Sequence, residues 1–199
     1  CDIAGSNNGL ISKVSISSFT EVDTLTITNG SMIEGLAYDG TYLYAAYYSL
    51  SPYVSYVAKI DLSTFAVIAT LTLSSPFDYA QTCFICGNYL YVGSQNCVFY
   101  QIRLSDFSIV TYIDKSSEYT WHQSSAFDSI NKKAYFHAQN DYNYDYPGYI
   151  LKFSIDCASS YPPADPIDDN PDTLPDPGGD PQEITFRWET YKAIRSERD

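Results

Sequence analysis

Apolar and polar residues alternate along most of this chain, and the alternation breaks at short clusters of Ser, Thr, Asp, Asn and Gly. Period-two patterning bounded by turn residues predicts β-strands with one face turned to a core. GLAYDGTYLYAAYY (35–48), YAQTCFICGNYLYVG (79–93) and SSAFDSINKKAYFHAQ (124–139) each read as a strand, a tight turn and a Tyr-rich strand. Asp39-Gly40 is the strongest turn signal among them, because a two-residue hairpin needs residues that accept a positive φ. Each hairpin is followed by another alternating run, VAKIDLSTF (57–65), FYQIRLSDF (99–107) or ILKFSID (150–156), and ISKVSISSF (11–19) precedes the first. VDTLTIT (22–28), FAVIATLTL (65–73) and FSIVTYI (107–113) then supply a further strand each. No stretch carries a helical period of any length.

Laid over one another, the runs align Lys13, Lys59, Arg103 or its neighbour Gln101, and Lys152, while Phe19, Phe65 and Phe107 recur at a spacing of forty-odd residues. With the strands of a unit called A to D, the chain reads C-D, A-B-C-D, A-B-C-D and A-B-C. A small sheet of this kind cannot bury its own face and needs a neighbour. The expectation is an all-β chain of β-propeller-type four-stranded antiparallel blades, about three in number and so an incomplete ring, since closed propellers carry roughly four to eight.

Lys59, Asp61, Leu62, Thr64 and Phe65, coming after Asp39, Gly40, Tyr42 and Tyr44, resemble the K-x-D-L-x-T-F-like strand and D-G-x-Y-x-Y-like hairpin of the β-propeller repeat superfamily. The resemblance spans about residues 9 to 156. It implies blade architecture and leaves open whether the chain is an adhesive module, a scaffold or, as occasionally in such folds, an enzyme.

Composition changes at Cys157, which divides the chain into a blade domain (1–157), an acidic Pro-rich linker (158–181) and a C-terminal strand and tail (182–199). The linker, SSYPPADPIDDNPDTLPDPGGDP over 159–181, has no basic residue and too few apolar ones to build a core. Beyond it, Ile184, Phe186 and Trp188 alternate with Thr185, Arg187 and Glu189, with Tyr191 as a further anchor. A lone strand on a reaching linker needs a host. The expected host is the open edge of a neighbouring subunit, reached by β-augmentation, and the alternative is a return to the last blade as its missing strand D.

Charge narrows the partners. The 24 acidic residues against 11 basic give a net charge of -13 among 199 residues, which disfavours a phosphate backbone or an anionic membrane surface. No run is apolar and long enough to insert into a membrane. The 20 tyrosines suit cross-strand pairing and exposed contact surfaces.

The five cysteines, Cys1, Cys83, Cys86, Cys97 and Cys157, point to an oxidising compartment. A pairing of Cys1 with Cys157, and of Cys83 or Cys86 with Cys97, is more economical than a zinc site, for which no nearby His completes four ligands. Asn29-Gly30-Ser31 is an N-glycosylation sequon in a turn. Asp141, Asn143 and Asp145 echo the opening of a calcium loop but lack its Gly and closing Glu, so calcium is a weak expectation and no other cofactor is expected.

His122 and His137 have no partners for a triad, and Asp61 with Asp106 is explained by solvated turns. The function expected from sequence is therefore non-enzymatic: a secreted structural subunit that joins copies of itself head-to-tail by strand exchange, with glycans as a further possible partner. The alternative is an adhesive or ligand-binding propeller fragment.

Overall fold

A computed structural model describes residues 8–50, 52–73, 79–119, 121–139, 149–155 and 188–192, the backbone alone at 121–123 and 188–192. Strands β1 (Gly9–Val14) and β2 (Glu21–Ile27) form a two-stranded half-sheet. The first full sheet is β3 (Met32–Tyr38), β4 (Tyr42–Leu50), β5 (Tyr53–Asp61) and β6 (Ala66–Thr72), in that spatial order. The second is β7 (Ala80–Cys86), β8 (Tyr89–Ser94), β9 (Val98–Arg103) and β10 (Ser108–Asp114). The third is β11 (Trp121–Asp128), β12 (Lys133–Gln139), β13 (Tyr149–Ser154) and β14 (Trp188–Lys192). All pairings are antiparallel, and the C-D, A-B-C-D order read from the sequence matches the strands.

The inner strands β3, β7 and β11 meet in succession, and β1 touches β3, so the sheets fan around a common side as a partly closed, propeller-like ring. Gly35 is where β3 comes closest to β7. A Cβ there would stand 2.9 Å from the Cys83 nitrogen and 3.0 Å from the Gln81 carbonyl oxygen, both backbone atoms that cannot swing aside.

Because the first and second full sheets are each covered on both faces, their middle strands are apolar on both. In β4, Tyr44 and Ala46 pack into the core shared with the second sheet, while Ala45 and Tyr47 pack into the core shared with the half-sheet. In β9, Tyr100 and Ile102 face the first sheet and Phe99 faces the third. The outer strands β2 and β6 are mostly exposed, which restores the one-sided alternation seen in their sequences.

The C-D turns carry a repeated irregularity. Phe19, Phe65 and Phe107 close these turns with φ of 53°, 47° and 51°, in the left-handed region that costs a non-Gly residue roughly 1–3 kcal/mol. Phe65 therefore ends a turn rather than opening β6. Its ring sits in the core against the half-sheet, 5.7 Å below the Lys13 ammonium, and Phe107 lies 6.0 Å from Tyr44. Burial of an aromatic ring, worth about 1.5–3 kcal/mol, offsets the strain at these two turns.

Within this single chain β14 pairs with β13, Leu151 opposite Thr190 and Phe153 opposite Trp188, which is the alternative host, the D position of the third sheet. Backbone pairing rewards whichever edge is within reach, and β13 offers one. The ladders also settle the lysine alignment: Tyr44 faces Lys59, Tyr91 faces Gln101 and Tyr135 faces Lys152, so Gln101 and not Arg103 is the counterpart of Lys59.

Candidate functional site

Two neighbouring sheets end their turns on the same side of the ring. The β3–β4 turn with the end of β5, and the β7–β8 turn with the end of β9, enclose a groove of about 720 Å³ lined by Asp39, Tyr42, Tyr44, Lys59, Asn88, Tyr89, Arg103, Leu104 and Ser105.

Asp39 organises one wall. Its Oδ1 accepts the backbone N–H groups of Thr41 at 2.8 Å and Tyr42 at 2.7 Å, and its Oδ2 accepts the Tyr44 hydroxyl at 2.8 Å. This is the local reason for the Asp-Gly turn, since the carboxylate bonds to its own backbone a few residues on and Gly40 takes the positive φ of 102°. Burial alone would push the Asp39 pKa up, but the bonds from Tyr42, Thr41 and Tyr44 and the Lys59 charge hold it below the ordinary carboxylate value. Burial, and then the contact with Asp39, pushes the Tyr44 phenol well above its usual range. At neutral pH the pair is an ionised acid and a neutral phenol.

Lys59 faces Tyr44 across the β4–β5 ladder. Its Nζ lies 4.1 Å from the Tyr42 ring centroid and 5.9 Å from that of Tyr44, a cation–π arrangement. It forms no ion pair among the described residues. On the opposite wall, Arg103 faces Tyr89 across the β8–β9 ladder and pairs with Asp106 at 2.9 Å. The Leu104 N–H donates to the Asn88 carbonyl at 2.9 Å and ties the two turns of the second sheet together. The groove thus gathers ammonium, guanidinium, amide and hydroxyl groups beside tyrosine rings, while the acceptor oxygens of Asp39 are taken by its own turn.

The sequence candidates fall elsewhere. Trp188 and Tyr191 lie in β14, whereas Ile184, Phe186 and the linker lie outside the described residues, as do Asp141, Asn143 and Asp145. Among the described residues no group of three or more His, Cys, Asp or Glu side chains could hold a metal ion. No helix there is long and apolar enough to cross a membrane.

Cys97 is a thiol and so is Cys83, which corrects the expected bridge from Cys83 or Cys86 to Cys97. Cys86 is disulfide-bonded, to neither of them. Cys1 and Cys157 lie outside the described residues. Sidedness separates Cys83 from Cys97, since Cys83 belongs to the core against the first sheet and Cys97 to the core against the third; Cys86 shares the core of Cys97 but is bonded elsewhere. Burial pushes the Cys83 thiol up to about 12, which leaves it protonated and inert.

Asn29 is exposed in a turn, with φ 59° and its N–H donating to Asn8 Oδ1 at 3.2 Å. Asp61 accepts from Ser63 and Thr64, and Asp106 from Arg103 and Ser108, which gives both turn roles.

One periodic feature was missed. Each inner strand has a bulge at an equivalent register, placing Glu34, Gln81 and Gln123 at matching positions. Gln81 Oε1 and Thr82 Oγ1 are buried without a hydrogen-bond partner. The recurring Glu or Gln at the start of strand A was the available signal.

No protein-family model matches the sequence, and no curated protein matches it. Among solved structures, the chain is similar to Kuenenia stuttgartiensis hydrazine synthase, with TM-score 0.55 and 14% identity, covering 69% of this chain and 38% of that one. It is also similar to the Neurospora crassa Pan2 WD40 domain, with TM-score 0.55 and 10% identity, covering 72% of this chain and 43% of that one. The chain spans less than half the length of either. At these identities the likeness is one of fold, repeated four-stranded antiparallel sheets.

Proposed function

We propose that the chain is part of a β-propeller-type binding module, non-catalytic and extracellular, that holds a short glycan in the groove between its first two full sheets. The observation that carries this reading is the Lys59 ammonium, stacked on Tyr42 and in no ion pair among the described residues, facing Arg103, Asn88 and Tyr89 across about 720 Å³. Hydroxyl-rich ligands need convergent donors and aromatic faces for their C–H surfaces. The net charge of -13 repels polyanions, so the ligand is neutral or carries a single acid group. Titration of a panel of neutral and sialylated oligosaccharides into the chain by calorimetry tests it. Lys59→Met should weaken binding roughly 10- to 100-fold, the cost of one charge-assisted hydrogen bond. Equal affinity of Lys59→Met and the parent chain would rule the groove out.

A second reading, a structural subunit of an extracellular filament assembled by strand exchange, draws support from β14. It joins its sheet through residues 155–187 and could reach the same edge of another copy. Electron microscopy with and without residues 182–199 decides it, since identical filaments from the truncated chain would exclude strand donation.

A further inference from the structure

We propose that the outer face of the half-sheet, built by Val14, Ile16 and Phe19, is a docking surface for the third sheet of a second copy of this chain. The repeat makes the assignment. Val14, Ile60 and Ile102 hold one position of the C strand and its turn, Ile16, Leu62 and Leu104 the next, and Phe19, Phe65 and Phe107 the last. In the two full sheets these residues face the sheet before them: Ile60 and Ile102 are 0% exposed and Phe65 8%. In the half-sheet the same positions meet no other sheet among the described residues, and Val14 is 51%, Ile16 90% and Phe19 86% exposed. Three large apolar side chains in one strip, one of them held in a strained left-handed turn, make a face built for a partner.

The two internal interfaces say what that partner presents. The half-sheet offers Phe65 the Lys13 ammonium from its C strand, and the first sheet offers Phe107 the Tyr44 ring from its B strand. The third sheet carries both residue types at those registers, Tyr135 opposite Lys152 as Tyr44 is opposite Lys59. Strand alternation puts them on the face away from the second sheet, because Ala134, Phe136, Leu151 and Phe153 fill the core between those two sheets. His137 and Ile150, the latter 42% exposed, share that face. A third sheet from another copy therefore continues the interface already repeated within the chain, Tyr135 and Lys152 meeting Phe19. The contact is heterologous, head to tail, and leaves β14 in its own sheet. This surface is separate from the groove and from strand exchange.

Sedimentation velocity of the full chain, with p-benzoyl-phenylalanine in place of Phe19 for photocrosslinking, tests it. The parent chain should self-associate, and cross-links from position 19 should land on residues 133–139 or 149–155 of a second copy. Phe19→Asn combined with Ile16→Ser should shift the chain to monomer, with an unchanged or higher Tm because Asn tolerates the left-handed turn. Lys152→Glu should weaken association roughly tenfold, as expected for loss of one cation–π contact and gain of a repulsive charge. The proposal is overturned if the parent chain stays monomeric at concentrations on the order of 1 mM, a very weak contact. It is also overturned if cross-links fall only on the first or second sheet. Association that survives Phe19→Asn with Ile16→Ser but vanishes on removing residues 182–199 speaks for strand exchange and against this face.

Discussion

At one position of the repeat, Ile60 and Ile102 have no contact with solvent, whereas Val14 is half exposed. All three occupy the same strand register, and their turns close on a Phe of the same backbone conformation. Local sequence and local geometry are therefore equal, and what differs is the presence of a sheet behind them. The comparison separates two things that strand patterning confounds: the tendency to form a strand, which the half-sheet retains, and the energy of burying this position of it, which only the full sheets collect.

The sharpest way to break that comparison is to truncate the shared position. Ile102→Ala and Ile60→Ala should each cost about 2–5 kcal/mol in urea unfolding, the range for buried branched residues, while Val14→Ala should stay within about 0.5 kcal/mol when the chain is dilute enough to be monomeric. Equal losses at all three in the monomer would mean that the half-sheet is covered within its own chain. The turn aromatics should differ in sign as well as size. Phe65→Asn should lose about 2–4 kcal/mol, because burial outweighs the relief of strain. In the monomeric chain Phe19→Asn should gain up to about 1 kcal/mol, since the ring is exposed there.

Gly35→Ala, at the close approach of β3 to β7, should cost about 1–3 kcal/mol through backbone displacement, read as a fall in Tm.

The smallest effect is expected under acid. The first sheet closes its C-D turn on Asp61, whose Oδ1 accepts the Ser63 N–H at 2.7 Å and the Thr64 N–H at 3.3 Å. The half-sheet closes its own on Ser15, whose Oγ accepts the Ser18 N–H at 3.4 Å. The Ser63 hydroxyl and then its backbone N–H hold the Asp61 carboxyl below the ordinary value. A depressed carboxylate pKa contributes stability that is complete above the unfolded value, near about 4, and is lost as pH falls through the folded value. Amide exchange at Ser63 and Thr64, followed by NMR from pH 6 to below pH 4, should therefore speed up relative to its intrinsic rate, and that of Ser18 should not. Parallel behaviour of the two turns would remove the carboxylate from the account.

Much of this was legible because the repeat is spoken in side chains. Alternation marked the strands, Asp39-Gly40 marked a hairpin, and the spaced Phe residues marked the period. What was hidden depends on partners far along the chain. Whether Gln101 or Arg103 answers Lys59 is set by register against β8, which alternating polarity does not encode when both neighbours are polar. The sign of φ at Phe65 is invisible in its identity, because Phe is among the residues that ordinarily avoid that region. Alternation alone sets Cys83 and Cys86 on opposite faces of a strand, but which core each face meets depends on the neighbouring sheets. The groove escaped notice for a related reason: Lys59 and Arg103 are unremarkable until two turns from separate sheets are brought side by side. The host of β14 could be narrowed to an edge but not to a molecule, because an edge of this kind is repeated in every copy.

That last strand also sets a timetable. On the ribosome the chain emerges from its N-terminal end, so the half-sheet and the first two sheets can complete themselves from contiguous sequence as they appear. The third cannot: β13 is synthesised long before Trp188–Lys192, and through all of 155–187 its outer hydrogen-bonding groups have no strand to take them. The molecule thus has an interval in its biogenesis, ending only when Trp188–Lys192 emerges, during which one sheet edge stands open to any extended chain nearby.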